Sequence, residues 1–262
     1  MDLLVPCGNV TQMELQPKDS SLFRTAIEGL KDFLPEAHLV VTKEGLVISG
    51  MDAAHVGFVR YTLAAADCAV LKVTVPQTLG VSLTILSKVL ASVGASDVVT
   101  LRSSDEHLTV SFVNEKLKKK TVCNVPLMEI HVDALDIPSL DYAMTVEAKT
   151  ADVAALFKEV GAFGDTLSLF LSDDGFQVKA TNERGEMTQV LENTEGREME
   201  FTEDFKSPVS FGTKYLISML KCALSPQIKL QINADTPMCL TYTVGDGSSL
   251  VFHLAPKMGD EA

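Results

Sequence analysis

Displacing the chain against itself by 130 positions lays residues 23–50 over 153–180 without a gap. Phe23, Ala26, Ile27, Leu30 and Phe33 then fall on Val153, Leu156, Phe157, Val160 and Phe163, apolar at helical spacing in both copies. Lys43-Glu44-Gly45-Leu46 falls on Asp173-Asp174-Gly175-Phe176, and both read as tight turns between alternating strands. Identity between the copies is low, so spacing and pattern carry the match. One domain is used twice.

Each copy also has a second half. Gly80 to Val93 reads as a helix with Leu83, Leu86, Val89, Leu90 and Val93 on one face. Its counterpart runs from Thr213 to about Ala223, with Tyr215, Leu216, Met219 and Leu220 inward. Both lead into alternating segments, Asp97–Phe112 and Gln227–Val244. The expected class is α+β: two similar domains of antiparallel sheet, each covered on one face by two helices.

The 262 residues, 46% of them apolar, suffice for such cores. No run of eighteen apolar residues suggests a membrane span, and the N-terminal residues lack the basic and apolar regions of a secretory signal. Five scattered cysteines without a CxxC pair suit reduced, structural thiols of a cytosolic or nuclear protein. No P-loop, GxGxxG, HExxH or GxSxG motif appears. The five histidines show no metal-ligand spacing, and Asp173-Asp174 is explained by a hairpin turn better than by a metal. No catalysis, cofactor or metal is therefore expected. The cross-class competitor is an acid-cluster nuclease built on that aspartate pair.

The net charge of −13 argues at face value against nucleic acid. The charge is uneven: residues 1–126 carry 12 basic and 13 acidic side chains, residues 127–262 carry 10 and 22. Such asymmetry serves solubility and also suits a molecule whose two ends attract each other. All four helices present cations opposite their apolar stripes: Arg24 and Lys31 (with Glu28), Lys88, Lys158 (with Glu159), then Lys214 and Lys221 (with Ser218). Solvated helices commonly carry lysine, and composition alone leaves that reading level with a binding face.

Three stretches break the tie. Met51-Asp52-Ala53-Ala54-His55-Val56-Gly57-Phe58-Val59 is similar to the Met-Asp-x-Ser-His-Val segment of the proliferating cell nuclear antigen family. Gly80 to Leu90 resembles a second family segment. The third runs from Leu127-Met128 through Leu135-Asp136-Ile137-Pro138 to Tyr142, and pairs with Ala234-Asp235-Thr236-Pro237 and Leu254-Ala255-Pro256-Lys257. Together they cover the chain from about residue 13 to its end. The resemblance implies the DNA-clamp fold, with a first domain at 1–126 (preceded by an extension, 1–12), a connector loop at 127–142 and a second domain at 143–262.

The resemblance further implies a homotrimer closed head to tail around duplex DNA, without sequence preference. Such a clamp serves as a processivity factor in DNA replication and DNA repair, in the nucleus or at a viral replication site. Arg24, Lys31, Lys88, Lys158, Lys214 and Lys221 match or neighbour the family's channel cations. Thr25, Ala91, Ala155 and Ala162 stand where relatives are often basic, so the expected hold on DNA is loose. The basic strand Leu117–Cys123, with Lys118, Lys120 and Val122, would pair with the edge Glu186–Glu192 of the next copy, with Glu186, Thr188, Val190 and Glu192. Glu195 and Glu198 follow that edge. A nuclear-import patch and a plain solvated edge are the other readings of the lysines.

Partner peptides would dock under the connector loop among Met51, His55, Val56, Phe58, Leu135, Ile137, Pro138, Tyr142, Pro237, His253, Ala255, Pro256 and Met258. His253 replaces the usual Tyr. DNA polymerase, an ATP-driven clamp loader and other proteins bearing the family's interacting peptide are the implied partners, with no membrane. A subunit of a heterotrimeric checkpoint clamp and a monomeric viral processivity factor are the alternatives.

Overall fold

The computed structural model describes residues 12–130, 140–202 and 207–257. The chain packs as two compact units, residues 1–49 with 61–133 and 245–248, and residues 50–60 with 134–244 and 249–262. Among the described residues the same order of elements occurs twice. The first pass is β1 (Met13–Pro17), α1 (Ser20–Leu30), β2 (Glu36–Thr42), β3 (Gly45–Met51), β4 (Gly57–Ala64), β5 (Cys68–Val73), β6 (Gln77–Ser82), α2 (Leu83–Leu90), β7 (Val98–Ser103), β8 (His107–Asn114) and β9 (Lys119–Pro126). The second is β10 (Met144–Lys149), α3 (Thr150–Gly161), β11 (Thr166–Ser172), β12 (Gly175–Asn182), β13 (Gly185–Leu191), β14 (Glu198–Phe201), β15 (Val209–Gly212), α4 (Thr213–Lys221), β16 (Gln227–Ile232), β17 (Met238–Val244) and β18 (Ser248–Leu254).

Sheet order repeats as well. The run β5-β1-β7-β8-β9 has its counterpart in β14-β10-β16-β17-β18, and β4-β3-β2-β6 in β13-β12-β11-β15. Pairing registers agree: Leu15 faces Leu101 and Leu101 faces Val110, as Val146 faces Leu230 and Leu230 faces Leu240. The antiparallel ladders and α+β class match the expectation from the hydrophobic pattern.

The first helix of each pass forms because its apolar residues recur every three or four positions, which aligns them on one stripe. Phe23, Ala26, Ile27 and Leu30 are buried in α1, and Val153, Leu156, Phe157 and Val160 in α3. Asp19 caps α1 by accepting from the Ser21 and Leu22 N–H groups at 2.8 and 2.9 Å, worth about 1 kcal/mol. Each helix then packs on the second helix of its own pass, α1 on α2 and α3 on α4. In the second pair, Gly161 permits the approach, since a Cβ there would stand 2.7 Å from Thr213 Cγ2.

The predicted hairpins are present at the repeated glycines. Gly45 (φ 140°) and Gly175 (φ 125°) end the β2–β3 and β11–β12 turns. An added Cβ would lie 2.1 Å from Leu63 O at the first and 2.4 Å from Leu191 O at the second. The two glycines are needed both for the dihedral and for the crossing backbone.

Two element starts differ from the sequence reading. The helix expected from Gly80 begins at Leu83, because Gly80 belongs to β6, facing His38 of β2. Gly80 O also accepts from Met128 N–H at 3.0 Å, and a Cβ on Gly80 would meet Met128 O at 2.1 Å. Apolar spacing cannot separate a strand end from a helix start here; the close approach decides. The basic strand expected from Leu117 begins at Lys119, with Lys118 at φ 51° in the turn before it.

Candidate functional site

Among the described residues six strands end a sheet, and two of them, β9 and β13, are the edges expected to pair between copies. β9 ends one sheet of the first pass and β13 ends one sheet of the second, each paired on one side only. Lys119, Lys120, Val122 and Asn124 are exposed on β9, and Glu186, Thr188 and Val190 on β13. Val122 and Val190 are 54% and 44% exposed. An edge of this kind presents unpaired backbone groups and recruits another strand unless something blocks it. Neither β9 up to Val125 nor β13 contains proline, and their charges are opposite.

The charges on these edges are little engaged within the chain. Lys118 meets Glu115 at 3.5 Å with both side chains about four-fifths exposed, a geometry worth little in water. Glu186 pairs with Lys179 of β12 at 2.6 Å, also in solvent. Val190 and Glu192 line a shallow hollow with Asp173, Asp174, Gln177 and Asn193. The aspartate pair forms the β11–β12 turn, and no grouping suited to a metal ion occurs among the described residues.

Within the second unit, a pairing of the same kind is already made. β18 lies beside β4, and Ala255 N–H donates to Val56 O at 3.0 Å. By the order of elements, β18 is the counterpart of β9 and β4 the counterpart of β13. The chain thus pairs with each other the counterparts of β9 and β13.

The helix cations divide into two groups. Lys88, Lys158, Lys214 and Lys221 are exposed. Arg24 is half-buried, with Nη1 donating to Val93 O at 2.9 Å, and Lys31 is half-buried at the α1 C-cap. Ala91, Ala155 and Ala162 are exposed among them and contribute no charge.

The Met51–Phe58 loop folds around one carboxylate. Asp52, 8% exposed, accepts from Val56 N–H at 2.8 Å and Gly57 N–H at 2.7 Å through Oδ1. Its Oδ2 accepts from Ala54 N–H at 3.2 Å and from the Tyr215 hydroxyl at 2.8 Å. Burial pushes this carboxyl up, but the donors from Gly57, Tyr215, Val56 and Ala54 together hold it below the ordinary aspartate value. The Tyr215 hydroxyl is correspondingly raised by that hydrogen bond. The loop presents His55 to solvent at φ 55°.

Beside the loop, the Phe58 ring is 6.2 Å from His253 and the Arg60 guanidinium lies 5.9 Å from the Phe58 centroid. Burial, then Arg60, depresses the His253 pKa, so the imidazole stays neutral. Its Nδ1 is buried and has no hydrogen-bond partner among the described residues. Met51, Val56, Tyr142, Pro237, Ala255 and Pro256 are half-buried. Burial and the neighbouring Cys239 raise the Tyr142 hydroxyl. The strand bond joins Val56 to Ala255, and the ring contact joins Phe58 to His253. Leu135, Ile137, Pro138 and Met258 lie outside the described residues.

Sequence reasoning missed Asp52 and Tyr215 as a pair. Asp52 stood inside a recognised segment, and an aspartate followed by small residues is a sign of side-chain-to-backbone turns. The apolar stripe of its helix points Tyr215 inward; it is half-buried because its hydroxyl reaches Asp52.

Comparison with known proteins matches residues 12–136 to the N-terminal domain of proliferating cell nuclear antigen and residues 136–257 to its C-terminal domain. The fold is similar to that in the crystal structure of proliferating cellular nuclear antigen from Entamoeba histolytica. That similarity has a TM-score of 0.87 at 22% identity, over 95% of this chain and 100% of that one.

Proposed function

The chain belongs to the proliferating cell nuclear antigen family of non-catalytic sliding clamps of DNA replication and repair, and from that premise we propose that three copies join head to tail into a ring around duplex DNA. The observation that carries the reading is the pair of open edges whose counterparts, β18 and β4, are joined in the same chain. A joint that a sequence builds once internally can be built again between copies, because the repeated backbones present the same ladder. Head-to-tail contacts close when the rotation closes. Two units per copy make a three-copy ring nearly six-fold.

In this reading the helix lysines face the DNA. Sequence-independent phosphate contacts are salt-sensitive and let a protein slide. A closed ring stays on by topology, so few cations suffice. Lys88, Lys158, Lys214 and Lys221 are the exposed ones, while the Arg24 guanidinium donates to Val93 O. The acidic remainder of the molecule keeps a −13 protein soluble without opposing the channel.

The surface beside Val56 and His253, over the buried Phe58 ring, takes a short peptide of polymerase, loader or repair partners, for which the family resemblance also names Leu135, Ile137 and Pro138. Aliphatic and aromatic anchors on a helical turn suit such a surface. The neutral His253 gives the floor a polar atom where a phenol would otherwise stand, which shifts peptide preference. The nucleus is the expected compartment.

Native mass measured at low micromolar concentration tests the assembly: three copies are expected. A single copy, or a ring that closes only with two different chains, sinks the homotrimer. Docking is tested by fluorescence titration with a labelled family-type peptide. Leu135→Ala with Ile137→Ala is expected to weaken binding at least about a hundredfold while the native mass stays at three copies.

A further inference from the structure

The β18–β4 pair can be laid over the open edges residue by residue. Leu63 and Ala64 crowd Gly45 as Leu191 and Glu192 crowd Gly175, an offset of 128. The same offset carries Leu71 and Val73, opposite Leu15 and Met13, onto Met199 and Phe201, opposite Val146 and Met144. Nothing is inserted or lost between these anchors. Asp67 therefore corresponds to Glu195.

Asp67 has a defined task in the first unit. Its carboxylate accepts from Asp246 N–H at 3.0 Å and from the Ser248 hydroxyl. Ser248, the first residue of β18 and 2% exposed, also accepts at Oγ from Ala64 N–H at 3.0 Å. The turn Gly245–Asp246–Gly247 is thus held against the end of β4. An added Cβ on Gly245 would come within 2.3 Å of Asp67 Oδ1, so the turn is built to receive that carboxylate.

At the open edges the corresponding turn is Glu115-Lys116-Leu117-Lys118, and the first residue of the strand is Lys119. Where the internal clasp meets a turn without cations, its counterpart meets three lysines. We propose that Glu195 is the latch of the joint between copies, its carboxylate accepting from the Lys116–Lys119 turn of the next copy. This rests on the edge-pairing reading above. Transferring the Val56–Ala255 bond by the same correspondence gives the register: Val122 opposite Thr188, and Lys118 opposite Glu192.

The loop that carries Glu195 is already fixed in place. Arg197 donates through Nη1 to Glu192 O at 2.9 Å and to Thr194 Oγ1 at 3.2 Å, and through Nη2 to Asp152 Oδ2 of α3 at 2.8 Å. Arg197 N–H closes the turn on Thr194 O at 3.0 Å. Glu195 itself is exposed and makes no side-chain hydrogen bond or ion pair among the described residues. A carboxylate held out by an ordered loop, with no use inside its own chain, pays little ordering entropy when a partner turn arrives.

Sedimentation equilibrium of the full chain, with Glu195→Lys, and with Glu195→Lys plus Lys119→Glu, tests the latch. The wild type is expected to assemble. Glu195→Lys should raise the dissociation midpoint about tenfold or more, and the swap should recover most of it. Circular dichroism melting, read well below the dissociation midpoint where the chains are single, should be unchanged in both variants, since the side chain is exposed. An assembled wild type with Glu195→Lys of equal midpoint, or a loss that the swap does not repair, overturns the latch and leaves the ring standing. A wild type that stays single at all concentrations overturns the edge pairing itself, and the latch with it.

Discussion

Lys118→Glu combined with Lys120→Glu is expected to convert the native mass from three copies to one at low micromolar concentration, with the melting temperature of the single chain unchanged. Both side chains are exposed, and neither supports the core. In the register inferred for the joint, Lys118 faces Glu192 and Lys120 lies diagonal to it, within reach for long side chains. Each cross-strand ion pair is worth about 0.2–1 kcal/mol, and reversal replaces attraction with a repulsion of similar size. The swing is about 1–4 kcal/mol per joint by that reckoning, and all three joints change together. Sedimentation velocity reads the result directly. An unchanged trimer peak would count against β9 as the pairing strand.

Asp52→Ala is expected to be the most damaging single substitution on the docking surface. It strands the N–H groups of Ala54, Val56 and Gly57 and the Tyr215 hydroxyl, all gathered by one carboxylate. Hydrogen bonds to a charged group contribute about 1.5–3 kcal/mol each, and some stranded donors regain water. A net loss of about 3 kcal/mol follows, or a melting point lower by roughly 6–12 °C. Differential scanning calorimetry checks it, and peptide binding should fall in parallel. A melting shift under about 2 °C would show that the loop does not depend on its aspartate. The same group makes the wild type acid-sensitive. Because the folded pKa lies below the unfolded value of about 3.9, the Asp52 contribution is complete above that value. It is lost as pH falls through the folded pKa.

How much of this was legible beforehand depended on whether the information was local. Phe23 to Phe33 and Val153 to Phe163 announce helices because burial imposes a 3.6-residue period, and all but the half-buried Phe163 are in the core. Gly45 and Gly175 announce turns because no other residue satisfies both dihedral and contact. Gly80 misled, since the contact that fixes it in β6 comes from Met128, forty-eight residues away. Lys118 misled less: a run of lysines does not say where a turn ends and a strand begins. Arg24 looks from its spacing like a free surface cation, and only the helix pair reveals Val93 O as its acceptor. Asp67 and Glu195 were the least legible. Their equivalence follows from registers on four strands and from no motif at all.

The strand pair β18–β4 differs from its proposed partner between copies in one respect, the covalent chain that runs through it. Tethered strands meet at an effective concentration fixed by the connection, whereas separate chains meet at their concentration in solution. In a closed ring of three copies only half of the six equivalent seams can part without unfolding anything. Those three seams are gates, and opening one leaves two to hold the ring together. The rate at which DNA enters or leaves is then set by the lifetime of a single gate, and protein concentration governs only how often a fully dispersed ring is rebuilt.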